Sequence, residues 1–187
     1  ENLRSDNYAD GTSIVSGETS YSWGVMNDGD QCVYGEGNAN VLGGNDDEVE
    51  NLSNYGRLYS GAAVLNSGGL CPSGWHVPSD DDWMTLELEL GMDASQLVYL
   101  DWRGTTEGKK MKASYSDIPG WNGTNLSGFS ALPGGYRNTN GEFKDEGGWG
   151  RFWSSSTSGT SGSLFWRGLY DQSDEIFRNY FSPSYAY

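Results

Sequence analysis

GRFWSSSTSGTSGSLFWRGLYDQSDEIFRNYFSPSYAY, residues 150–187, is the stretch on which the architecture turns. GRFWSSS, SLFWRGLY and FRNYFSPSYAY read as short strands. The turn-forming runs TSGTSG and DQSDE separate them, which suggests antiparallel neighbours. Alternation along LFWRGLYD sets Phe165, Arg167 and Leu169 on one face and Trp166, Gly168 and Tyr170 on the other. One of those faces is expected to meet solvent. The preceding residues, GFSALPGGYRNTNGEF, mix glycines with aromatic rings and hold no run long enough for a helix, so they read as structured loop.

Two helices are expected nearer the start. In SNYGRLYSGAAVLNSGG, residues 53–69, Tyr55, Leu58, Tyr59, Ala62 and Leu65 recur at helical spacing, with Ser53 or Asn54 as cap and Gly68-Gly69 as stop. In PSDDDWMTLELELG, Ser79 can cap, Asp80, Asp81 and Asp82 fill the first turn where the helix dipole favours negative charge, and Gly91 can end the helix. Residues 1–50 carry little periodicity and read as a long loop or a set of short strands. The whole is a single α+β domain: two helices, a small twisted antiparallel sheet and much ordered loop.

The chain has 187 residues and a formal net charge of −15. Such a surface repels phosphate backbones and anionic membranes, so nucleic acid is an unfavourable partner. No apolar run approaches the ~18 residues of a membrane-spanning helix, so membrane insertion is not expected. The acidity fits solubility in salt or the binding of hard cations, both of which suit the outside of a cell. The two cysteines, Cys32 and Cys71, can pair in an oxidising compartment; separate buried thiols, or pairing with a cysteine elsewhere, are the alternatives. The abrupt start at Glu1 and the aromatic run at the end are expected of a module cut from a longer protein.

Little in the chain points to catalysis. His76, the single histidine, stands in CPSGWHVP and reads as a hydrogen-bonded packing residue. GGWG and LPGGY lack the helix N-terminus that a phosphate cradle needs. Glycoside hydrolysis needs only two carboxylates, and among 26 acids any pair is uninformative. The chain is therefore read as a binding module and not an enzyme; a carbohydrate-active unit using an Asp/Glu pair, and a structural module without a small ligand, are the alternatives. Eight tryptophans and twelve tyrosines exceed what a small sheet hides. The candidate contact residues are Trp149, Trp153, Trp166, Arg167, Tyr170 and Arg178, rings for area and arginines for a carboxylate. Oxygen-rich, glycine-flexible segments are candidates for Ca2+: Asp28 and Asp30; Asp46, Asp47 and Glu48; Asn122 and Asn125; Asp171 and Asp174.

YGRLYSGAAV, CPSGWHVPSDDDW, GKKMKAS, GFSALPGGYRNTNGEF and GRFWSSS follow one another in this order. Together they resemble the Fibrobacter succinogenes major paralogous (FISUMP) domain over nearly the whole chain. The resemblance implies a C-type-lectin-like fold of two helices and a small antiparallel sheet, with LPGGYR as a rigid turn and GRFWSSS as a central strand. It also implies long loops that carry the ligand and are pinned by calcium. The glutamate-proline-asparagine sugar signature of calcium-dependent lectins is absent, so no sugar specificity carries over. The resemblance further implies an extracellular, calcium-dependent, monomeric module of a long bacterial surface adhesin. Its expected partner is a peptide with a free carboxylate, or a glycan, on another cell surface.

Overall fold

The computed structural model describes residues 2–17, 29–38, 41–42, 44–159 and 162–187. Among these the strands are β1 (Gln31–Cys32), β2 (Val41–Leu42), β3 (Leu58–Tyr59), β4 (Asp101–Arg103), β5 (Gly134–Arg137), β6 (Phe143–Glu146), β7 (Trp149–Ser158), β8 (Ser163–Tyr170) and β9 (Ile176–Phe181). The helices are α1 (Glu48–Tyr55), α2 (Gly61–Leu65), α3 (Asp80–Glu89) and α4 (Glu107–Met111). Seven strands form one sheet in the order β2-β6-β5-β7-β8-β9-β4, and β1 pairs with β3 in a second sheet. The large sheet is mixed: β5 runs parallel to β7 and β2 parallel to β6, and the remaining pairs are antiparallel.

This corrects the expected fold. The protein is mostly β, with four short helices among the described residues, and it is not the two-helix, C-type-lectin-like arrangement. Two local causes are visible. The helix expected over residues 53–69 does not form as one piece. Gly56 ends α1, β3 follows, and Ser60 then caps the separate α2 by accepting the Ala63 N–H. LPGGYR is not a turn: its last four residues are the whole of β5. Gly135, at φ +67°, lies opposite Gly150 of β7, and a Cβ on it would stand 2.5 Å from the Lys144 carbonyl oxygen. Glycine at 135 lets the β5 and β6 backbones approach where a side chain would hold them apart.

β7, β8 and α3 form where expected, whereas the strand expected over FRNYFSPSYAY ends at Phe181. β7, β8 and β9 are consecutive antiparallel neighbours, with a register shift between Trp153 and Thr157. Ser79 caps α3 in a reciprocal box with Asp82, whose carboxylate accepts the Ser79 N–H at 2.8 Å. The helix is tied to β7 by Trp83 Nε1, which donates to the Trp153 carbonyl at 3.3 Å, and by the Asp80 N–H, which donates to Ser156 Oγ at 2.9 Å. Beneath it Trp83, Met92, Met111, Ala113, Trp121, Ala131, Leu169 and Ile176 form the principal core. The segment ending at Tyr187 bridges the two sheets, with Ala186 against Ser60 and Arg137 and Tyr187 exchanging backbone hydrogen bonds with Tyr59.

Candidate ligand-binding face

The pleat of β8 sorts its side chains as alternation requires, and strand pairing extends the pattern across the sheet. Trp149 lies opposite Tyr170, Arg151 opposite Gly168, Trp153 opposite Trp166, Phe177 opposite Gly168, and Trp102 opposite Phe177. Directly paired residues share a face, so one surface of the sheet collects rings from four adjacent strands. Trp149 stacks on Tyr170 with centroids 4.7 Å apart; Trp102 is 5.6 Å from Trp149, 6.3 Å from Tyr170 and 5.1 Å from Phe177. Gly168 makes the room: a Cβ there would come within 2.7 Å of the Trp166 ring and 2.8 Å of the Trp149 ring. Trp102 is 37% exposed, and Trp149, Tyr170 and Phe177 are half-buried.

The ring layer continues to Phe181, Tyr185, Tyr187 and Tyr136, where Phe181 and Tyr185 stack at 4.9 Å. Arg151 lies among these rings. The guanidinium carbon lies 3.5 Å from the Tyr136 ring centroid, 4.9 Å from Trp166, 5.0 Å from Trp149 and 5.4 Å from Tyr187. Such cation–π contacts hold the side chain firmly in place. Burial pushes the Tyr187 phenol well above its ordinary range, and the neighbouring Arg151 charge opposes that rise.

The other face is electrostatically closed. Asp80 and Glu87 lie one above the other on α3, two turns apart, and meet three arginines from three neighbouring strands. Arg167 places Nη1 2.7 Å from Asp80 Oδ1 and Nε 2.5 Å from Glu87 Oε1. Arg178 donates to both Asp80 oxygens, at 2.6 and 3.1 Å. Arg103 grips Glu87 bidentately, at 2.7 and 3.0 Å. The spare donors of Arg103 and Arg178 reach the carbonyls of Leu97 at 2.7 Å and Val98 at 2.8 Å. Burial works to raise the pKa of Asp80, but the hydrogen bonds from Arg178 and the charge of Arg167 outweigh it and hold the carboxyl below its usual range.

Beside the ring platform, where β8 ends at Tyr170, Gly104, Thr105 and Asp171–Glu175 line an open cleft of about 580 Å³. Its floor is pinned by the buried Lys112 ammonium, which donates to the carbonyls of Tyr170 at 2.8 Å and Ser173 at 2.9 Å. Burial lowers the Lys112 pKa, and the charges of Asp174 and Asp171 oppose that shift.

A family model described as the Fibrobacter succinogenes major domain matches residues 1–186. The chain belongs to that family. No curated protein and no solved structure matches it.

Within this family member the six contact residues expected from sequence divide between the faces. Trp149 and Tyr170 stand on the ring platform. Trp153 and Trp166 share its face but are buried, at 5% and 2% exposure. Arg167 and Arg178 project the opposite way into the charge network, so a ligand on the surface does not reach them; the acids of α3 take their donors. Sequence reading missed Trp102 and Phe177. A three-residue strand carries no period, and Trp102 joins the platform only through its pairing with Phe177. His76 is not a packing residue: it is exposed and lies 3.4 Å from Asp82.

The candidate calcium ligands lie on separate segments of the chain. Asp28 lies outside the described residues. Asp30 is buried at 2% exposure. Asp47 caps α1 by accepting the Val49 and Glu50 N–H groups, Glu48 accepts the Gly37 N–H at 2.7 Å, and Asp46 is exposed. Asn125 Oδ1 accepts the Ser130 N–H at 2.9 Å, and Asp174 pairs with Lys109 at 3.2 Å. Asn122 donates to the Asp171 carbonyl, in the turn that the Lys112 ammonium holds. Among the described residues no three His, Cys, Asp or Glu side chains gather to hold a metal ion. Cys32 and Cys71 are free thiols, and burial drives Cys32 up to about 12.

Proposed function

We propose that this domain is a ligand-binding module of a bacterial surface protein and that its ligand is a glycan laid along the aromatic face of the large sheet. The observation that carries the reading is the half-exposed platform of Trp102, Trp149, Tyr170 and Phe177, contributed by four adjacent strands. Flat rings at this spacing offer the apolar face of a pyranose a large contact area, and their few torsions cost little entropy to immobilise. The cleft beside Tyr170 adds the hydroxyl and carboxylate groups of Thr105 and Asp171–Glu175, which suit sugar hydroxyls. The backing is rigid, because β4, β8 and β9 are cross-tied to α3 from behind.

A glycan array followed by calorimetry on the best ligand tests it, with Trp102→Ala and Trp149→Ala beside the unaltered domain, each in calcium and in EDTA. Each substitution should weaken binding about tenfold or more, the scale of burying one ring against a ligand. Undiminished affinity in both variants, or binding confined to peptides, would defeat the proposal.

A further inference from the structure

Arg151 is not accounted for by the stacking that surrounds it. Its side chain is 91% buried (9% exposed), it sits in a box of four rings, and its Nε has no hydrogen-bond partner. The carboxylate that balances it, Asp145, stands 3.8 Å from Nη2, beyond hydrogen-bond reach, with a side chain 44% exposed. Trp166 Nε1, in the same box, is also buried without a partner. A buried guanidinium normally spends its fork of donors on acceptors, as Arg103, Arg167 and Arg178 do on the other face. Arg103 Nε and Arg167 Nη2 also lack an acceptor, but those arginines grip carboxylates at 2.7 and 2.5 Å, whereas the rings fix the Arg151 fork with its Nε unpaired and its carboxylate at 3.8 Å. Asp145 holds its place with its backbone in the left-handed region, φ 63°.

Resting on the glycan reading above, we infer that the ligand is an acidic one, a chain containing uronic acid, and that Arg151 Nη2 receives its carboxylate in place of Asp145. A planar carboxylate matches the guanidinium edge, and the charge-assisted bonds are stronger than the loose 3.8 Å pairing they replace. The sugar ring that bears the carboxylate then lies on Trp149, which is part of both the platform and the arginine box. The chain's net charge of −15 does not forbid this. Exposed charges are screened beyond about 8 Å at physiological ionic strength.

The test compares tetragalacturonate with its carboxyl-reduced tetramer by calorimetry at low and high salt, using the intact domain, Asp145→Asn and Arg151→Lys. The acidic tetramer should bind about tenfold or more tightly than the reduced one, the range of a charge-assisted hydrogen bond, with the difference shrinking in high salt. Asp145→Asn should tighten the acidic tetramer several-fold and leave the reduced one unchanged. Arg151→Lys should abolish the preference between the two. Should the lysine variant fail to fold, Asp145→Asn, a substitution at a half-exposed side chain, decides alone. Equal binding of both tetramers, or an Asp145→Asn variant with no altered preference, overturns the inference and leaves the glycan reading standing. Binding of neither tetramer nor any arrayed glycan, or binding of a peptide carboxylate instead, overturns both.

Discussion

Replacing Glu87 with glutamine should be costly to the stability of this domain. Glu87 is fully buried and accepts three hydrogen bonds, two from Arg103 and one from Arg167. Asp80 is shared by Arg167 and Arg178, so three guanidinium groups are balanced by two carboxylates. Removing one of the two leaves two strands' arginines facing a neutral amide, half of which is itself a donor. Three charged hydrogen bonds at about 1.5–3 kcal/mol each set an upper bound. The amide oxygen still accepts one of them, and breaking a buried pair typically costs about 3–5 kcal/mol. For a domain of this size that corresponds to a drop in Tm of about 6–20 °C. Urea unfolding followed by tryptophan fluorescence measures it. The control is Glu89→Gln on the exposed side of the same helix, expected within about 0.5 kcal/mol of the unaltered domain. Combining Glu87→Gln with Arg103→Met should cost less than the two separate losses added together, because the second change removes a charge that the first left uncompensated. If Glu87→Gln unfolds within about 1 kcal/mol of Glu89→Gln, the network is not what fastens α3 to the sheet, and the account of a rigid backing fails with it.

Two further outcomes follow from the same geometry. Because Asp80 has a folded pKa below its unfolded one, its contribution is complete above the unfolded value of about 3.9 and is lost as pH falls through the folded one. Stability measured by urea titration should therefore fall on acidification below about pH 4, and the deficit of Asp80→Asn should be large at pH 6 and shrink towards nothing under strongly acid conditions; a deficit independent of pH would contradict this. Gly168→Ala should displace the Trp149 and Trp166 rings, which its Cβ would meet at 2.8 and 2.7 Å, cost about 1–3 kcal/mol of stability, and weaken glycan binding beyond what the lost stability explains. Unaltered binding in a folded Gly168→Ala variant would show that the platform tolerates disorder among its rings.

What could be read from the amino-acid order follows the length over which each pattern runs. β7, β8 and β9 span six to ten residues, long enough for alternation to repeat and for turn formers to bracket them. α3 was legible because its cap, acidic first turn and terminal glycine agree. β4, with three residues, and β2, with two, carry no period, and they enter the sheet by pairing with partners far along the chain, as Asp101 does with Arg178. The same limit governs the site. Alternation correctly separated Arg167 from Trp166, but which face meets solvent depends on where α3 lands. Asp80 read as a dipole-complementing residue, and it is also half of a buried charge network.

The two faces are one device seen from opposite sides. Trp166, Arg167 and Gly168 are consecutive in β8: the first supports the ring layer, the second is clamped by Asp80 and Glu87, and the third clears space for Trp149. A ligand that lies on rings gains affinity in proportion to how little those rings must be ordered on binding. The backbone beneath the platform is held by the arginines of β4, β8 and β9, each anchored to the same helix. A buried ion network is a poor way to add stability, since well-packed apolar residues often do as well. It is a better way to fix the relative position of three strands, because bidentate pairs tolerate little displacement. On this reading the acids of α3 never touch a ligand, yet they set the spacing of the rings that do, and substitutions in the network should alter affinity through ring placement even in variants that remain folded.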